Sequence, residues 1–189
     1  VLLAGRAAAW SGQHHARITE GAIAHLPQGV LRDFLANRGG ELLEHARYEP
    51  LGTHYLYMDF VPGFPGTPLP RDLNVLLMAH GRALVDQTGV GPWWTRDLME
   101  DLSIQMAGAG TAGEWTQLLS TAGYLAHYIE DLHNPLHLTK NGNGFLTGNA
   151  GVHTRYERDM TARYAEALVT TSRPNRCVYL GTDLVHRIF

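Results

Sequence analysis

At 189 residues the chain is long enough for a single domain with a sizeable hydrophobic core. A net charge of −3 excludes a general polyanion binder, so any phosphate-bearing partner must be held by local charge such as a metal ion. The single cysteine, Cys177, excludes an internal disulfide framework, and no apolar run is long enough to read as a membrane-spanning helix.

In chain order, Val1 to Ala9 (V-L-L-A-G-R-A-A-A) reads as the tail of a secretory signal peptide, with three alanines just ahead of Trp10. The expected domain therefore covers residues 10–189, and the expected location is secreted or periplasmic. The segment W-S-G-Q-H-H offers His14 and His15. Ile18, Ala22, Ile23 and Leu26 form one helical stripe, with Thr19 and Glu20 off it, and Pro27 ends the run. A short helix over 30–36 closes at Asn37-Arg38-Gly39-Gly40, and residues 41–46 add another turn or two. In L-G-T-H-Y-L-Y-M-D-F, extended pairing puts Tyr55 and Tyr57 on one face.

Val61 to Pro70, with four prolines and two glycines, is a surface loop. A helix follows over 71–88, with Leu73, Leu76, Leu77, His80, Leu84 and Val85 near one face, which makes His80 a core histidine. Pro92 suits the first turn of a helix over 93–106. Two readings stand for Trp93 and Trp94: a lipid-facing rim, or packing residues. Thr111 and Glu114 have capping-box spacing and start the longest helix, whose apolar side carries Trp115, Leu118, Leu119, Ala122, Leu125, Ala126 and Ile129.

The C-terminal end of that helix carries the chemistry. His127 and Asp131 are four apart and share a face. Asn134-Pro135 ends the helix, and His137 follows the break. After a Gly/Asn-rich loop over 141–151, His153 and Glu157 are again four apart at the start of a second helical run. One such pair is an ordinary surface or capping feature. Two pairs with a histidine between them make a metal-site pattern, and imidazole with carboxylate suits zinc.

The run H-Y-I-E-D-L-H-N-P-L-H followed by G-V-H-T-R-Y-E resembles the zinc-dependent phospholipase C family, whose superfamily includes zinc-type single-strand nucleases. The closing H-x-x-x-E, where the nucleases usually have H-x-x-x-D, tilts the resemblance towards the phospholipase branch. It implies an all-α, single-domain helical bundle around a trinuclear zinc cluster. By the same resemblance His54, His127 and Asp131 hold one Zn2+, and His137, His153 and Glu157 hold a second. The α-amino nitrogen and carbonyl oxygen of Trp10, with His15 and a bridging Asp131, hold the third; His14 is the alternative to His15. The family's water-orienting carboxylate before His54 has no Asp counterpart here, and Glu49 is the nearest candidate for that catalytic role.

The implied function is phosphodiester hydrolysis by zinc-activated water, acting as a phospholipase C on phospholipid at a membrane or micelle surface. The alternatives are an extracellular single-strand nuclease or 3′-nucleotidase, and a zinc-binding module without turnover. No protein partner is expected.

Overall fold

The computed structural model describes residues 10–48 and 54–164. The candidate leader Val1–Ala9, the candidate base Glu49 and everything after Tyr164 lie outside the described residues. Among the described residues there are six α-helical segments and no strand, which makes the fold all-α. None of these helices is long and apolar enough to cross a membrane.

The organising element is α5, Ala112–Leu132. Its start is fixed by the expected capping box: the Thr111 hydroxyl accepts from the Glu114 N–H, and the Glu114 carboxylate accepts from the Thr111 N–H at 2.8 Å. Helices α1 (Gly12–Ala24), α2 (Val30–Ala46) and α4 (Gly91–Gly108) pack against it. Gly123 sets the closest approach to α2, because a Cβ there would stand 2.6 Å from both the Leu42 carbonyl oxygen and the His45 Cβ. This contact lies one turn before His127 and brings the C-terminus of α2 beside it.

Helix α3 (Leu73–Thr88), an extended strap over 54–58, the start of α4 and the end of α5 enclose the main apolar core of Leu56, Val61, Leu76, Val85, Trp93 and Leu132. Each such side chain contributes about 1.5–3 kcal/mol by leaving water. Trp93 is buried with its indole N–H donated to the Arg71 carbonyl at 2.9 Å, whereas Trp94 stays exposed. The strap has no sheet partner, yet the N–H groups of Leu56, Tyr57 and Met58 are each bonded. Leu56 N–H donates to the His137 carbonyl at 2.9 Å and Tyr57 N–H to the Thr88 carbonyl at 2.6 Å. Gly89, at φ 88°, turns the chain where a Cβ would overlap the Tyr55 carbonyl oxygen.

Three sequence expectations are corrected. The helices expected over 30–36 and 41–46 are one continuous α2 that runs through Gly39-Gly40. The helical cost of two glycines is about 1 kcal/mol each, and packing of Leu42 and Ala46 offsets it. In α1 the inward residues are His15, Ala16 and Thr19, while Ile18 is 45% exposed. That face is turned by polar contacts to α5 and not by its apolar stripe. His80 is exposed, not in the core: it is the last helical residue before Gly81, whose φ 77° and ψ 165° break α3.

Candidate metal centre

Seven of the eight residues expected to bind metal come together: His15 from α1, His54 from the strap, His127 and Asp131 from α5, His137 from the 3-10 turn Pro135–His137, and His153 and Glu157 from the last described helix. Their donor atoms form three groups, each within reach of one ion: His15 with His127 and Asp131, His54 with Asp131 and His137, and His137 with His153 and Glu157. Asp131 belongs to two groups and His137 to two, so the three are contiguous. The partition differs from the expected one in that His127 groups with His15, and His54 with His137.

The hydrogen bonds fix which atom each ring presents. His127 Nδ1 donates to the Ala46 carbonyl at 2.9 Å, so its bare Nε2 faces Asp131 Oδ2 at 3.1 Å. His15 Nδ1 is paired with Glu130 Oε2 at 2.6 Å, which leaves Nε2 to face Asp131 Oδ1 at 3.4 Å. The two rings stack 4.0 Å apart. Glu130 is steadied by the Thr19 hydroxyl, which donates to its other oxygen at 2.7 Å. His54 Nδ1 stands 3.6 Å from Asp131 Oδ2.

On the far side, the Nε2 atoms of His137 and His153 are 3.0 Å apart, and both aim at Glu157 Oε1, at 2.9 and 2.6 Å. Asn134 Nδ2 also donates to that oxygen. Gly151, at φ 82°, starts the short helix Val152–Thr154, which passes into a π-helical turn over Arg155–Met160 and so carries both His153 and Glu157 inward. Such turns inside α-helices are frequent at functional sites.

These atoms are a poor assembly without a cation. His15 Nε2, His127 Nε2, both Asp131 oxygens, His137 Nδ1 and Glu157 Oε2 are buried with no hydrogen-bond partner. Buried electron-rich atoms facing one another cost several kcal/mol each unless positive charge lies between them. Burial is also the first cause of the shifted acidities. It lowers the His15 imidazole to about 4, with the neighbouring His127 adding to the effect and Asp131 opposing it. It lowers His137, against a hydrogen bond that the ring donates to Glu157, which raises it. Asp131 is pushed up by burial, but the His127, His137 and His15 imidazoles around it outweigh this and hold it below the usual carboxylate value. Neutral imidazoles around an ionised carboxylate are the ligand state that a divalent cation needs. The residues therefore fit metal ions.

Two partners escaped the sequence reading. Glu130 lies three residues after His127 on the same face of α5, a spacing that could have flagged it as the carboxylate behind a ligand histidine. Asn134 reads as a helix terminator, and it does accept the Leu136 N–H at 3.0 Å, but its amide also holds Glu157. His14 joins none of the three groups; its Nδ1 lies 2.5 Å from the Ser11 hydroxyl. Trp10 packs its ring 5.4 Å from that of Tyr156, the neighbour of Glu157. Comparison of the chain with family models, with curated proteins and with solved structures finds no match.

Proposed function

We propose that the chain is a secreted or periplasmic zinc metallohydrolase that cleaves phosphodiester bonds, with phospholipid as substrate in the manner of a phospholipase C. One observation carries this reading: three contiguous buried donor groups share Asp131 and His137, which suits a cluster of ions and not a lone structural one. The donors are imidazoles and carboxylates with no thiolate, the set preferred by catalytic zinc. Zinc bound there would lower the pKa of water towards 7 and take up charge on phosphoryl oxygens.

The chain's own residues aim and isolate the site. The Ala46 carbonyl and Glu130 fix the direction of the His127 and His15 rings. Asp131, fully buried, spans two of the groups. Exclusion of bulk water raises the strength of every charge interaction within the cluster. In this reading the amino nitrogen and carbonyl oxygen of Trp10 complete the group at His15 once the leader is removed. Glu49 orients the attacking water, a role that rests on the sequence resemblance.

The nuclease reading has one feature in its favour. Tyr55 and Tyr57 stack 4.3 Å apart beside His54, and stacked aromatic rings suit a nucleobase. A paired turnover assay separates the two, using zinc-loaded protein that begins at Trp10. Chelator-sensitive release of phosphocholine from phosphatidylcholine micelles, with no nucleotide release from single-stranded DNA, is the expected result. Nucleotide release alone moves the chain to nucleic acid, and silence in both arms with zinc bound removes the hydrolase reading for these substrates.

A further inference from the structure

The loop between His137 and His153 joins two of the metal-facing histidines, so it stands at the rim of the cluster. At its outer turn Phe145 and Leu146 are 71% and 70% exposed, side by side. The turn that presents them is well tied. Asn141 Oδ1 accepts the Leu146 N–H at 2.8 Å, the Gly144 carbonyl accepts from Thr147 and Asn149 N–H, and Gly151 N–H donates to the Asn143 carbonyl at 3.0 Å. Gly144 and Gly148 adopt φ of 76° and 73°, which the tight turn requires. The N–H groups of Leu146, Thr147 and Asn149 at the tip are thus bonded inside the loop, which lowers the cost of taking it out of water.

Charge points the same way. From Lys140 to Tyr156 the sequence holds no Asp or Glu, in a chain of net charge −3. Lys140 precedes the turn and Arg155 follows it, with the Arg155 guanidinium donating to the carbonyls of Ala150 at 2.9 Å and Asn149 at 3.2 Å. Lys140 and Arg155 flank the apolar tip, with the Asp59 carboxylate bonded to the Lys140 N–H at 2.8 Å at the base of the loop.

We propose that the Phe145–Leu146 turn is a membrane wedge. It seats the metal cluster on a phospholipid bilayer that carries anionic headgroups, with the two side chains in the acyl boundary and Lys140 and Arg155 against the phosphates. The inference rests on the lipid reading of the function above. Two apolar side chains are too few for a stable protein interface, which buries roughly 1,200 Å² or more. They are enough to hold a peripheral protein reversibly on a bilayer when cations assist.

The test uses the zinc-loaded full chain and vesicles of phosphatidylcholine with phosphatidylglycerol at about one part in three. The double variant Phe145→Ser/Leu146→Ser is expected to lose vesicle affinity at least about tenfold in sedimentation. Its turnover of a short-chain phosphatidylcholine below the micelle concentration stays at the wild-type level. The Phe145→Trp variant reports insertion as a blue shift of the new indole emission on vesicles. Unchanged vesicle affinity in the double variant, or no blue shift, overturns the wedge. So does a self-association that the double variant abolishes while vesicle binding persists. Vesicle binding that depends on the two residues, in a protein that turns over no lipid, upholds the wedge and removes the phospholipase reading. Turnover of lipid with no such dependence does the reverse.

Discussion

The two sides of the metal centre are held by different means. On the α5 side the outer nitrogen of each histidine is already committed, His127 to the Ala46 carbonyl and His15 to Glu130, so these rings are aimed before any ion arrives. On the loop side His137, His153 and Glu157 lean mainly on one another, and His137 Nδ1 and Glu157 Oε2 are buried with no partner. A ring whose outer nitrogen is bonded to a fixed partner is preorganised, whereas side chains that bond mainly to one another are held less firmly. The α5 side is a template, and the loop side closes onto it.

The largest effect should come from Asp131, which the His15 and His54 groups share. Asp131→Asn is expected to empty two groups together and to cut turnover about a thousandfold or more. Metal content by mass spectrometry checks this, and a variant that keeps its full metal complement would break the shared-ligand assignment. Next, Glu157→Gln should remove the loop-side ion while the His15–His127 group keeps its own. Limited proteolysis should then cut between Lys140 and Gly151 faster than in wild type, since that loop loses its anchor; equal cutting rates would mean that the loop side is as preorganised as the helix side. Glu130→Gln should cost about 10–100-fold in metal affinity, with the fold intact, because it loosens only the outer contact of His15. Competitive titration with a chelator measures that change.

The smallest effect sharpens the α5 side through pH. Burial depresses His15 from 6.5 to about 4, so its contribution to stability is complete above 6.5 and lost as the pH falls towards 4. Burial raises Glu130 from 4.5 to about 8, so its contribution is complete below 4.5 and lost as the pH rises towards 8. The two slopes oppose each other between 4.5 and 6.5. Thermal unfolding of the metal-free protein should therefore peak in that window and fall on either side. In Glu130→Gln the fall on the alkaline side should vanish; if it persists, another group is responsible.

Helix α5 and its two metal-capable side chains were legible because their signals are local: a capping box, an apolar stripe and an i,i+4 pair all lie within one element. What escaped depends on partners far along the chain. The polar inward face of α1 makes sense only through Thr19 and His15 meeting Glu130, 115 residues from His15. The continuity of α2 through Gly39-Gly40 depends on its packing against α5, which outweighs a local preference to stop. His80 carries the right period but stands at the end of a helical run that breaks at Gly81, a conformation that residue type permits but does not announce. The grouping of His54 with His137 comes from the strap, whose Leu56 N–H is bonded to the His137 carbonyl.

The π-helical turn over Arg155–Met160 amounts to one residue more than an α-helix needs across the same span. Its spare residue is a trade of helix quality for function. Deleting the exposed Asp159 would let the segment relax to regular α-helix, with Thr161 still able to face His14. His153 and Glu157 both precede the deletion and keep the i,i+4 pairing that a regular helix already provides. The shortened chain should melt at a higher temperature without metal, and a loss of the loop-side ion with it would show that the widened turn, and not the spacing, aims Glu157 at His137.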